Sequence, residues 1–237
     1  MTFGNCSDTL GKSCDGRMMS VRSISGTTRM SILAGVLIAI GALFSIAAKQ
    51  YGNVVQGVCF SVGLFGVLCC NAKLFTGSVL SIQDVWGKQS TIQDVLRLWA
   101  TSWALNLVGA VTIALMASQM GFDATGIAQA KASMPPHELL IRAALCNVMV
   151  CMAVWTRQKG VHGGWDSPES ALASCVLPVA CFVACGFEHS VADMLYMPLG
   201  LLQGAVDIWQ CAYVILLATI GNVVGGVAFA WMVWEKQ

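Results

Sequence analysis

At 237 residues, 57% of them hydrophobic and only 11% charged, the chain has too few ionic groups to solvate a globule of its size, because an ordinary soluble domain carries about 25%. A formal net charge of +1 leaves no basic face for nucleic acid. The composition fits a chain that crosses a membrane repeatedly, and no apolar h-region of a signal peptide precedes Met30.

Residues 1–28 read as a polar, cytoplasmic N-terminal segment, and 29–237 as one membrane domain of six spans. A spanning helix needs about 20 residues. The first span covers 30–48. The second begins at Asn53, breaks over 71–78 and resumes to Trp86. The third covers 98–117 and the fourth 139–155. The fifth begins at Ser170, breaks over 186–190 and resumes to Leu202. The sixth covers 208–234. The second and fifth reach spanning length only when their two halves are added. In the connection 156–169, Ser167-Pro168-Glu169 reads as an N-cap, a proline at the first helical position and an acid in the first turn.

The two breaks are Asn71-Ala72-Lys73-Leu74-Phe75-Thr76-Gly77-Ser78 and Cys185-Gly186-Phe187-Glu188-His189-Ser190. Lipid cannot satisfy the peptide groups of a non-helical backbone, so such a segment must line a cavity or be buried in protein. Paired interruptions in matching halves point to a solute site near the midplane. The halves, about 29–120 and 137–237, repeat further features: Asn106 stands three before Gly109 as Asn222 does before Gly225, each about 30 residues after its break. Three spans per half make the repeat inverted. Lys and Arg lie mostly on one side, with Lys49, Lys131 and Arg142 on the other, which places both termini in the cytoplasm.

The 11 cysteines lack any C-x-x-C pair to seed a metal site, and several lie inside apolar runs as packing residues. His189 is the sharpest chemical residue, since an ionisable group in a span is by default functional and imidazole titrates near cellular pH. Thr76 is the polar group of the other break, able to hold a ring nitrogen or an anion. Asn106 and Asn222 could add amides to the same network.

Leu74-Phe75-Thr76-Gly77-Ser78, the run from Cys146-Asn147 to Cys151 and Trp155, Gly186-Phe187-Glu188-His189-Ser190 and Gly221-Asn222 with Gly225-Gly226 resemble the formate/nitrite transporter family over all six spans. The resemblance implies an all-α membrane protein: an aquaporin-like protomer of six transmembrane spans in an inverted 3+3 repeat, assembled as a homopentamer in the cell's inner membrane with a pore in each protomer. It implies passage of small monovalent weak-acid anions with protons: formate foremost, with nitrite or hydrosulfide as alternatives. The pathway residues it implies are Thr76, His189, Asn147 and Asn222. Its constrictions fall on Phe60, Leu64 and Leu74 on one side and Phe182 on the other. The family usually has an acid at the position of Lys73 and an Asn at that of Asp193. Lys73, read as a pathway residue, and Asp193 are therefore expected to form an ion pair.

A proton supplied or positioned by His189 would let a weak acid avoid the cost of a bare anion at midplane depth. A neutral-solute channel and a membrane enzyme are the competing classes. Against the enzyme, no paired carboxylates, metal-ligand spacing or cofactor motif is found, and His137 and His162 stand alone in loops. No cofactor is called for; lipid is the surrounding partner.

Overall fold

The computed structural model describes residues 24–164 and 167–235. Residues 1–23 of the expected N-terminal segment, with Lys12, Arg17 and Arg22, lie outside the described residues. All secondary structure among the described residues is helical: α1 (Ile24–Ala47), α2 (Asn53–Cys69), α3 (Phe75–Ser78), α4 (Ile82–Trp86), α5 (Ile92–Gln119), α6 (Thr125–Ala132), α7 (Pro136–His162), α8 (Pro168–Ala184), α9 (Ser190–Leu202) and α10 (Ile208–Met232). A 3₁₀ turn, Val79–Ser81, joins α3 to α4. Helices α1, α5, α7 and α10 contain stretches long and apolar enough to cross a membrane, while α2, α8 and α9 are shorter apolar pieces.

Helix starts follow local chemistry. Thr91 caps α5 by accepting from the Asp94 N–H. Ser167 and Ser170 cap α8 reciprocally, with Pro168 at the first helical position as the sequence predicts. Asp207 and Gln210 do the same for α10. The expected boundaries need three corrections. Helices α5 and α7 extend past the apolar runs that mark them, because a helix continues through polar turns beyond its buried part. His137 and His162 therefore belong to helix α7 rather than to loops. The connection 118–138 holds a helix of its own, α6.

Three helix pairs dominate the packing: α1 on α5, α7 on α10 and α2 on α8. Small residues set their closeness. A Cβ on Gly109 would come 2.3 Å from the Ile32 carbonyl of α1, and one on Gly225 would come 1.9 Å from the Ala144 carbonyl of α7. In the third pair, Gly57 meets the Ala180 backbone while Cys175 Sγ lies 4.0 Å from the Ser61 carbonyl further along. Helices α2 and α8 therefore run antiparallel. Their C-terminal ends, where the two breaks start, point in opposite directions.

Candidate functional site at the two helix breaks

Both breaks begin with the same turn. Helix α2 ends with the Ala72 N–H bonded to the Val67 carbonyl at 2.9 Å and the Asn71 N–H to that of Leu68. Helix α8 ends with Phe187 bonded to Phe182 at 2.9 Å and Gly186 to Val183 at 3.0 Å. This pairing of the last carbonyls needs a left-handed residue just past the cap. Asn71 (φ 50°) and Gly186 (φ 65°) supply it, the two residue types that adopt that conformation at least cost.

Each break is then held by one asparagine. Asn106 Oδ1 accepts from the Phe75 N–H at 2.8 Å, and its amide donates to the carbonyls of Ser31 and Lys73 at 2.7 and 3.0 Å. Asn222 Oδ1 accepts from the Ser190 N–H at 2.9 Å, and its amide donates to the carbonyls of Ala143 and Glu188 at 2.7 and 2.9 Å. A buried break thus has its orphan peptide groups satisfied internally. The two asparagines are fully spent on backbone, so the sequence-based expectation that Asn222 presents its amide to the Thr76–His189 pair needs correction. By this bonding, Lys73 corresponds to Glu188 and Leu74 to His189. Thr76 is therefore offset by two residues from the position matching His189.

The offset brings the two polar side chains together. Thr76 Oγ1 lies 3.0 Å from His189 Nε2, and both residues are buried. His189 is also the N-cap of α9: its Nδ1 accepts from the Ala192 N–H at 3.2 Å. An acceptor at Nδ1 fixes the neutral ring with its proton on Nε2, and that N–H donates to the Thr76 hydroxyl. No other acceptor for the hydroxyl proton occurs among the described residues. Asn147 stands behind the pair, donating from Nδ2 to the carbonyls of Thr76 and Asn222 at 3.2 and 2.7 Å, while its buried Oδ1 has no partner among the described residues. Cys151 Sγ approaches the same Thr76 carbonyl at 3.7 Å.

The apolar residues are arranged differently from the sequence expectation. Phe60 and Phe182 do not lie on opposite sides. Their rings meet edge to face at 5.6 Å, and both touch the His189 ring, at 6.3 and 5.9 Å. Antiparallel packing of α2 on α8 brings the two residues level. Leu64 lies one turn along α2 from Phe60 and is buried, as are Leu74 and Phe75 beside Thr76. Phe75 was not singled out by sequence, where nothing separates it from core.

The expected Lys73–Asp193 pair does not form. Lys73 is held toward α1 by its N–H, which donates to the Met30 carbonyl at 3.1 Å, and has no ion-pair partner among the described residues. Asp193 faces α6 instead, 2.9 Å from Lys131 Nζ. Lys131 also pairs with Glu188, next to His189. Sequence reading placed Lys131 in a polar connection and had no cue that α6 folds back over the second break. Arg142 borders that break too, donating to the Gly186 carbonyl at 2.8 Å and pairing with Glu138 at 2.7 Å.

Comparison with known proteins finds relatives for this chain and for its fold. A family model described as formate/nitrite transporter matches residues 14–234. A probable formate transporter of Methanothermobacter thermautotrophicus is 32% identical over 88% of this chain and 88% of its own. The formate channel FocA of Escherichia coli K12 is 33% identical over 74% of this chain and 66% of its own. Among solved structures, an FNT family ion channel superposes with a TM-score of 0.78 at 25% identity, covering 89% of this chain and 91% of that one. A pentameric formate channel with formate bound gives a TM-score of 0.73 at 24% identity, covering 88% and 94%. The chain is a multi-pass membrane protein, and it belongs to the formate/nitrite transporter family.

Proposed function

We propose that this chain forms a passage for small monovalent weak-acid anions, formate foremost, with one pathway through each protomer past Thr76 and His189. The observation that carries this reading is the buried Thr76–His189 hydrogen bond where the two breaks meet, under the Phe60–Phe182 ring pair. The ring's fixed tautomer makes Thr76 an acceptor from His189 and leaves its hydroxyl proton to point at an anion. Apolar bulk from Phe60, Phe182, Leu64, Leu74 and Phe75 raises the cost of a bare charge. A weak acid crosses this bulk as the neutral species, keeping the proton it brought from the aqueous side, and the Thr76 hydroxyl can donate to its oxygens in either protonation state.

His189 then positions rather than supplies the proton. Loss of Nε2–H would leave an imidazolate, and a proton added at Nδ1 would face the Ala192 N–H donor to donor. Names and folds of the relatives extend the reading. The formate named for several of them favours that substrate here, with nitrite and hydrosulfide as alternatives. The twin turns, twin asparagine clamps and twin glycine contacts support an inverted repeat of three spans in each half, about 29–120 and 137–237. The pentamer named for one neighbour supports a homopentamer. The Lys and Arg distribution supports cytoplasmic termini in the cell's inner membrane, with the segment 1–28 on that side.

Purified protein in liposomes tests the reading by comparing fluxes of formate, nitrite, hydrosulfide and glycerol. Faster passage of one or more anions than of glycerol is expected. Glycerol passage equal to the fastest anion would replace this reading with a neutral-solute channel.

A further inference from the structure

Two buried carboxylates and one partly buried ammonium meet behind His189, and their charges do not balance. Lys131 from α6 contacts Glu188 from the break and Asp193 from the first turn of α9. Glu188 is 3% exposed and Asp193 0%. Asp193 Oδ1 pairs with the ammonium off the hydrogen-bonding direction, and Asp193 Oδ2 has no partner among the described residues. With all three ionised, the cluster would bury one uncompensated negative charge, an arrangement that proteins avoid by pairing or neutralising the group. Among the described residues, no cation besides Lys131 pairs with either carboxylate.

We propose that the Lys131–Glu188–Asp193 cluster is a proton-binding site distinct from His189, made titratable by Asp193, and that its proton sets the charge the pathway presents to an anion. The proton belongs to the two carboxylates jointly, as in any closely coupled pair. With the proton bound, the cluster is neutral. With it released, the cluster is negative beside His189 and opposes an anion at Thr76. The other titratable and charged groups nearby come from several elements: Arg142 and Cys146 from α7, and His189 and Tyr196 on either side of Asp193. Lys131 Nζ lies 5.5 Å from the Tyr196 ring centre, so that ring shares the ammonium. Helix α5 carries only Asp94 and Arg97 as charged residues, both in its first two turns.

The proposal rests on the anion-passage reading for its functional half and on the cluster geometry alone for its proton. Two measurements on the full-length protein separate them. Infrared difference spectra between mildly acidic and mildly alkaline buffer read the C=O stretch of a protonated carboxyl, with a deuterium shift as its signature. Wild type should show such a band disappearing on alkalinisation. Asp193→Asn should lack it, because one ammonium then faces one carboxylate, and Glu188→Gln should lack it for the same reason. A band that survives both substitutions, or no titrating carboxyl band in wild type, overturns the proton site. In liposomes, formate flux at alkaline relative to acidic pH should be at least about threefold higher for Asp193→Asn than for wild type, since one buried negative charge beside the anion is removed. Superimposable pH profiles overturn the role of the charge. Wild type that passes no anion would overturn the passage reading, and with it the role of the charge, while the infrared band still decides the proton site.

Discussion

The Thr76 hydroxyl is held by a histidine that has no second protonation choice without losing a helix cap. Its oxygen accepts from Nε2, since Nδ1 already serves the Ala192 N–H. One donor is thereby aimed by two breaks that come from opposite halves of the chain. A hydrogen bond to a charged group contributes about 1.5–3 kcal/mol. Thr76→Val keeps the shape and removes the hydroxyl, so formate flux through liposomes is expected to fall by about 10- to 100-fold. Thr76→Ser keeps the donor and is expected to retain most of it. Equal loss in both variants would show that shape, not the hydroxyl, matters at this position. Both members of the pair were legible in the sequence as polar residues inside apolar breaks. The Lys131 contact was not legible. An ammonium in a loop between two spans carries no periodic signal, and only the fold-back of α6 makes Glu188 and Asp193 its neighbours.

At the scale of elements, the breaks persist because each is clamped by one asparagine making three bonds to backbone. Removing that side chain leaves a buried N–H and two carbonyls short of partners. Each orphaned group costs about 1–3 kcal/mol, so Asn106→Ala and Asn222→Ala should each destabilise the protein by about 2–5 kcal/mol. Thermal unfolding in detergent should show a lower midpoint for both. Asp at either position should be worse than Ala, because a carboxylate would face the two carbonyls that the amide now bonds. A midpoint unchanged in either alanine variant would mean that the break is held by packing alone. The sequence marked the breaks through interrupted apolar runs and marked the two asparagines through their shared spacing to Gly109 and Gly225. What those asparagines bond was hidden, because spacing reports which residues recur and not which atoms they satisfy. Helix ends beyond the apolar stretch were hidden for a similar reason: the polar end turns of α7 carry no apolar period and look like loops.

For the whole molecule, the antiparallel run of α2 on α8 brings two similar breaks in from opposite directions to meet at the Thr76–His189 bond. From the Gly57–Ala180 contact, α2 continues 12 residues to Cys69 in one direction, about 18 Å at 1.5 Å per residue. Helix α8 reaches Cys185 five residues on in the other. Exposed thiols therefore stand at opposite ends of the α2–α8 pair: Cys69 and Cys70 beside the first break, and Cys185 beside the second, next to the partly exposed Arg142. The level pairing of Phe60 with Phe182 follows from the same antiparallel run, and the sequence could not supply it because an inverted repeat fixes direction without fixing register. A membrane-impermeant maleimide applied to one face of sealed vesicles, followed by peptide mapping, reads this arrangement with the native cysteines. Cys185 is expected to react from the outer face. Cys69 and Cys70 are expected to react only after the vesicles are opened or inverted. Labelling of both sets from one face would refute their placement on opposite sides. A reversed pattern would keep the fold and overturn the orientation drawn from Lys and Arg.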